Sequence, residues 1–208
     1  MQSMTTKERI VDEALSLFSI KGYKGTSVKD IADAVGIKDS SLYKHFKSKQ
    51  EILGTIVETM RQHISEMSNT LGLPPDGELE KAVEVYATYN EDTMVEFSRK
   101  IFLFYLKDPF VSRFWRMGNM EQFQNSEVYA VFHKLFLEDG LAYQTALFAV
   151  MSKKGIFIDE DPQVIAMSFY APIFFLLSKY ANDTEHEASA VELLDRQIRA
   201  LYRMYRRK

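Results

Sequence analysis

The sequence contains no cysteine, which excludes disulfides, thiolate nucleophiles and thiolate metal ligands. A reducing cytoplasm is compatible with that, and a cytoplasmic protein is the expectation. The first ten residues, MQSMTTKERI, lack the apolar core of a signal peptide. The longest apolar run, residues 164–177, holds Ser168 and Pro172 and falls short of the roughly 20 residues a membrane helix needs, so no membrane partner is expected. There is no GxSxG, no P-loop, no GxGxxG and no HExxH, so neither catalysis nor a cofactor is expected. His63 and Glu66 can share a helix face, but Glu58 lies about 140° round the helix from His63. With no second histidine or cysteine nearby, that face reads as solvated and no metal site is expected. His133, alone beside Phe132, reads as a core-edge histidine.

What is present is helical punctuation, densest in TSVKDIADAVGIKDSSLYKHFKSKQEIL, residues 26–53. Thr26 and Ser27 stand at an N-cap, with Asp30 at capping-box spacing from Ser27. Val28, Ile31, Ala32 and Val35 then form one apolar face, and Gly36 is suited to the positive φ of a helix end. A second short helix is predicted from Asp39 to Phe46, with Leu42 and Phe46 turned inward. Ser48 and Glu51 open the next one. Two short helices joined by a glycine-containing turn make a helix-turn-helix, whose second helix enters the DNA major groove. Between Lys21 and Lys49 the chain carries net +4, whereas the whole chain sums to −3 and the part after Leu53 to −5. A basic patch on an acidic chain fits a DNA-binding face, although a solvated helical surface has the same composition.

The segment from about Lys7 to Leu53 resembles the DNA-binding domain of the TetR family of bacterial transcriptional regulators. The matching residues are Ala14 and Phe18 of the opening helix, the run KGYKGTSVKDIADAVGI, and SLYKHFKSKQEIL, with Leu42-Tyr43-Lys44-His45-Phe46 the most specific part. The resemblance implies an all-α protein. A three-helix DNA-binding head (1–48) would precede a larger helical domain for effector binding and dimerisation (49–208). It also implies a repressor that binds a palindromic operator as a homodimer and is released by a small molecule. Two alternatives are a DNA-binding regulator controlled by protein partners and an enzyme carrying such a head. On side-chain chemistry, Ser40, Ser41 and Lys44 are the candidates for base edges, Thr26, Ser27, Tyr43, His45 and Lys49 for phosphates, and Lys38 for either.

The remaining sequence reads as helices throughout. The first helix is predicted over 6–20 and a long one, linking head to body, over 49–71. Others follow over 78–93, 94–107, 110–124 (interrupted near Gly118), 126–153 (broken at Asp139-Gly140), 162–181 and 185–206. Pro74, Pro75, Asp76 and Gly77 break the chain, and Thr184 with Glu187 has capping-box spacing. Tyr86, Tyr89, Phe102, Tyr105, Phe114, Trp115 and Phe123 either line a pocket for a small apolar effector or are ordinary core. The helix after Pro162 is apolar nearly all round, and the last one shows a seam of spacings 3 and 4. A dimer interface is therefore expected from Phe169, Ile173, Phe174 and Leu177 on one helix and Val191, Leu194, Ile198, Leu201 and Tyr205 on the other. Arg203, Arg206, Arg207 and Lys208 are explained by the charge preference of a helix C-terminus, without DNA.

Overall fold

A computed structural model describes residues 4–74, 78–181 and 184–207, and Pro75–Gly77 of the expected break lie outside them. Eleven α-helices are described and no strand: α1 (Thr6–Lys21), α2 (Val28–Val35), α3 (Asp39–Leu42), α4 (Lys49–Thr70), α5 (Leu79–Ala87), α6 (Glu91–Lys107), α7 (Pro109–Glu121), α8 (Ser126–His133), α9 (Gly140–Lys153), α10 (Pro162–Tyr180) and α11 (Glu187–Tyr205). Local signals fix most of the starts. Thr5 with Glu8 and Ser27 with Asp30 form complete capping boxes, and proline opens α7 and α10 behind an aspartate cap.

Where the expected boundaries fail, a tertiary or capping cause is visible. α3 stops at Leu42 rather than Phe46, because the amides of Lys44 and His45 turn back three residues, to Ser41 and Leu42. The break before α6 comes at 88–90, since Asn90 Oδ1 accepts from Thr93 N at 2.9 Å. Gly118 interrupts nothing: α7 runs through it, and the Phe132 ring fills the space a side chain there would need. The chain is also helical through 126–153, with a π-helical segment at Lys134–Asp139. There the Tyr170 hydroxyl donates to the Phe136 carbonyl at 2.7 Å. The side chain of Thr184 lies outside the description, and α11 begins behind His186 without a side-chain cap.

The helices sort into two packing units. One contains α1–α3, α4 as far as Ile64, and Asp108–His133, so α7 and α8 pack with the reading head. α1 lies against both α2 and α7, and Ile10, Ala14, Leu15, Phe18, Ile31, Leu42, Phe46 and Ile56 are sealed in this unit. Full burial of Leu42 and Phe46 is worth about 1.5–3 kcal/mol each and holds α3 in place.

The other unit contains the end of α4, α5, α6, the π-helical segment and α9–α11. In it α10 packs on α9 and α11, and α11 packs on α6. Most of the residues expected at a dimer surface turn into the subunit instead. Phe169, Ile173, Leu177, Leu194, Ile198, Leu201 and Tyr205 are buried inside the subunit, and Phe174 and Val191 half-buried. A sealed side chain has no area left to bury against a second chain. On α10 the apolar residues left open are Val164, Met167, Ala171 and Phe175, one stripe along the helix, with Met167 52% and Phe175 62% exposed.

Candidate nucleic-acid interface

The helix-turn-helix is built by two caps. Ser27 Oγ accepts from Asp30 N at 3.1 Å, and the Asp30 carboxylate accepts from Ser27 N at 2.7 Å. The Ser27 hydroxyl bonded to Asp30 holds that carboxyl below the usual carboxylate range. Gly36 closes α2 at φ 77°, a left-handed conformation that glycine adopts without strain. α3 follows after two residues, fixed by Leu42 and Phe46. Lys38, Ser40, Tyr43, Lys44 and His45 are left exposed, Tyr43 by 53%, and their side chains engage no other described residue. Ser41 is half-buried.

Of the nine candidates Ser27 is spent on its own capping box, and two more are committed elsewhere. Thr26 is buried, and its hydroxyl donates to the Gly22 carbonyl at 2.9 Å. Lys49 turns inward, donating to the carbonyls of Tyr23 at 2.6 Å and Thr26 at 2.8 Å, with its ammonium 4.3 Å from the Tyr23 ring centre. Burial lowers its pKa, and the charges of Glu121 and Glu127 oppose that shift. Neither is placed to hold a phosphate as expected. Three other cations of the head are also occupied: Lys21 pairs with Asp30 at 3.8 Å, Lys24 donates to the Gln124 carbonyl at 2.8 Å, and Lys7 lies over the Phe46 ring.

Arginines of α6 and α11, and Arg206 just beyond α11, also have partners within the chain. Arg99 pairs with Asp195, Arg199 with Glu91 and Asp92, and Arg203 with Glu91, while Arg206 donates to the Ala87 carbonyl at 3.0 Å. Arg203 and Arg199 hold the Glu91 carboxyl below its ordinary range.

The candidate effector residues do not form one cluster. Tyr86, Tyr89 and Phe97 pack ring to ring at 5.2–5.5 Å, and Tyr105 lies against Phe104 and Phe136. Phe102 is buried in the same unit. Phe114 and Trp115 are buried in the unit of the head, where Trp115 meets Phe132, and Phe123 is 85% exposed and lines no interior. Tyr86 lies within electrostatic reach of Tyr143 and Tyr89, and Tyr105 of Tyr170, and neither hydroxyl oxygen is both sealed and unpartnered. Burial pushes Tyr105 up to about 12 and Tyr86 well above its ordinary value, so both phenols stay protonated donors at neutral pH. His63, the expected metal candidate, stacks on Phe110 and lies 3.4 Å from Asp108 at the edge of a groove of about 840 Å³ in the head unit. Among the described residues no group of three metal-ligating side chains forms, and no helix is long and apolar enough to cross a membrane.

A three-helix head presenting free polar and basic side chains on its reading helix, carried by an otherwise helical chain, defines a helix-turn-helix DNA-binding protein. Residues 10–56 match the family model described as bacterial regulatory proteins, tetR family. Over 165 residues, 78% of this chain and 79% of the relative, the sequence is 28% identical to the biofilm operon icaADBC HTH-type negative transcriptional regulator IcaR of Staphylococcus aureus. The Staphylococcus epidermidis IcaR is 50% identical over 52 residues, 25% of this chain and 28% of that one. Among solved structures, a TetR family transcriptional regulator from Pseudomonas syringae pv. tomato superposes with a TM-score of 0.69 at 16% identity, covering 100% of both chains. Residues 10–56 thus carry a DNA-binding domain of the TetR family, and the likenesses together support a TetR family transcriptional regulator.

Proposed function

We propose that the chain is a homodimeric repressor that reads a palindromic operator through α3 and is released by a small, largely apolar effector. The observation that carries the DNA contacts is the set of unengaged side chains on and around α3, in a unit whose other cations mostly have partners. Ser40, Ser41 and Lys44 read base edges; Tyr43 and His45 hold phosphates; Lys38 serves either, while Ser27, whose polar groups cap α2, borders them. The negative regulator IcaR supports the repressing sign. The exposed stripe of α10 supports dimerisation through Val164, Met167, Ala171 and Phe175. The phenols of Tyr86 and Tyr105 support an effector site among the aromatics of the larger domain, because their protonated hydroxyls are donors that a ligand can accept from. An effector there biases α4, which contributes to both packing units, and so alters the separation of the two reading helices of the dimer.

Selection from a pool of random duplexes tests the reading. The expected product is a palindrome whose half-sites lie about one helical turn, roughly 34 Å, or a multiple of it apart. Enrichment of a single asymmetric site would overturn the dimeric reading, and no enrichment would overturn operator recognition.

A further inference from the structure

We infer that Glu121, which stands on α7 and outside every proposed DNA contact, is a positioning residue for DNA binding: its buried charge keeps the Lys49 ammonium clipped to the chain just ahead of α2. Lys49 has three N–H groups. Two donate to the carbonyls of Tyr23 and Thr26, and its charge rests against the Tyr23 ring. These bonds tie the first residue of α4 to residues 23–26, immediately before the Ser27 cap, and so set how α2, and α3 behind it, lie on α4. Because carbonyls and a ring supply no full countercharge, a negative group nearby favours holding the ammonium at this half-buried place. No carboxylate forms an ion pair with Lys49 among the described residues, and the acids whose fields reach it are Glu121 and Glu127.

Glu121 is the buried one of the two, only 6% exposed. Its Oε2 is sealed and has no hydrogen-bond partner. Its Oε1 packs so closely on Gly22, at φ 79°, that any side chain there would collide with it. For stability alone this is a poor arrangement, since a sealed carboxylate oxygen without a donor is a net cost, and glutamine would fill the same space uncharged. Its use is electrostatic, and it acts on Lys49.

A structural role and a positioning role therefore predict different behaviour for Glu121→Gln. In the full-length protein, with affinity read by fluorescence anisotropy on the duplex the wild type selects, Glu121→Gln is expected to weaken binding about tenfold, the size of one charge-assisted interaction. The salt dependence should stay that of the wild type, since no phosphate contact is lost. The melting temperature should stay equal or rise. Lys49→Ala should weaken binding comparably, and adding Glu121→Gln to it should change nothing further. Amide hydrogen exchange supplies a readout that needs no DNA: protection at Thr26, whose N–H donates to the Tyr23 carbonyl, should fall in Glu121→Gln. Wild-type affinity with unchanged protection, a full Glu121→Gln effect in the Lys49→Ala background, or a melting temperature that falls with affinity would each overturn the inference.

Discussion

Two groups of basic side chains, one around α3 and one on α6 and α11, teach what marks a nucleic-acid face. By charge alone the second is the stronger candidate, with four arginines in Arg99, Arg199, Arg203 and Arg206. All four are spent inside the chain, on Asp195, Glu91, Asp92 and the Ala87 carbonyl. Lys38, Lys44 and His45 are fewer, and among the described residues their side chains have no partner. A cation bound to its own fold releases no counterions on meeting DNA, whereas a free one does. Engagement rather than charge separates the two faces. The same contrast holds for apolar groups: the sealed seam of α11 is core, and the open stripe of α10 is surface available to a partner.

The largest effect should come from that apolar contrast. Met167→Glu with Phe175→Glu leaves the subunit core untouched and is expected to give folded monomers. Operator affinity should fall by about a hundredfold or more, because two half-sites then bind without shared tethering. Sedimentation and circular dichroism check the two halves of this. Leu194→Glu should instead unfold the chain, since it places an unpaired charge at a fully buried position. If the surface pair leaves a dimer, the stripe is not the interface.

Lys44→Ala should follow in size. Loss of a base-edge contact costs about 1–3 kcal/mol at the best site and relaxes preference at one or two base pairs. Uniform weakening across a library of site variants would reassign Lys44 to the phosphates. Arg203→Ala is the counterpart on the engaged face. Operator affinity and its salt dependence should match the wild type, and a shallower salt slope would break the distinction between free and engaged cations.

The sequence signals that survived are local. Capping boxes, Pro at the start of α7 and α10, and Gly36 at the end of α2 act within one turn of helix, so they are legible one segment at a time. Asn90 was equally local, and its capping chemistry could have moved the α6 boundary three residues earlier. Everything decided by a second element was hidden. The 3-4 seam of α11 announced an apolar face, but α6 and α10, not a second subunit, cover it. Lys49 and Thr26 looked like phosphate ligands because a cation and a hydroxyl at a helix start usually are, and only the fold turns them inward. Glu121 gave no signal at all, since an acid on a helix reads as solvated until α1 is packed against it.

The smallest predicted effect sharpens the comparison between the two faces with a salt titration. Asp30 and Glu91 both have lowered pKa values in the folded chain, Asp30 mainly through the Ser27 hydroxyl and backbone, Glu91 mainly through Arg203 and Arg199. A lowered folded value adds stability above the unfolded values, about 3.9 for Asp and 4.3 for Glu, and loses it as pH falls through the folded value. Both carboxyls should therefore favour the folded chain at neutral pH and cease to do so in acid. Salt should tell them apart. The screening length shrinks from about 10 Å at 0.1 M to about 3 Å at 1 M, which weakens a surface pair of full charges far more than a bond to a neutral hydroxyl and amide. Carboxyl carbon titration by NMR at the two ionic strengths should show Glu91 rising toward its ordinary value while Asp30 moves little. Arg203→Ala should raise Glu91 at low salt, and Ser27→Ala should raise Asp30 at both. Equal salt responses would mean that the cap and the arginine pair hold their carboxylates in the same way, and the free-versus-engaged division would then lose its electrostatic basis on the α11 side.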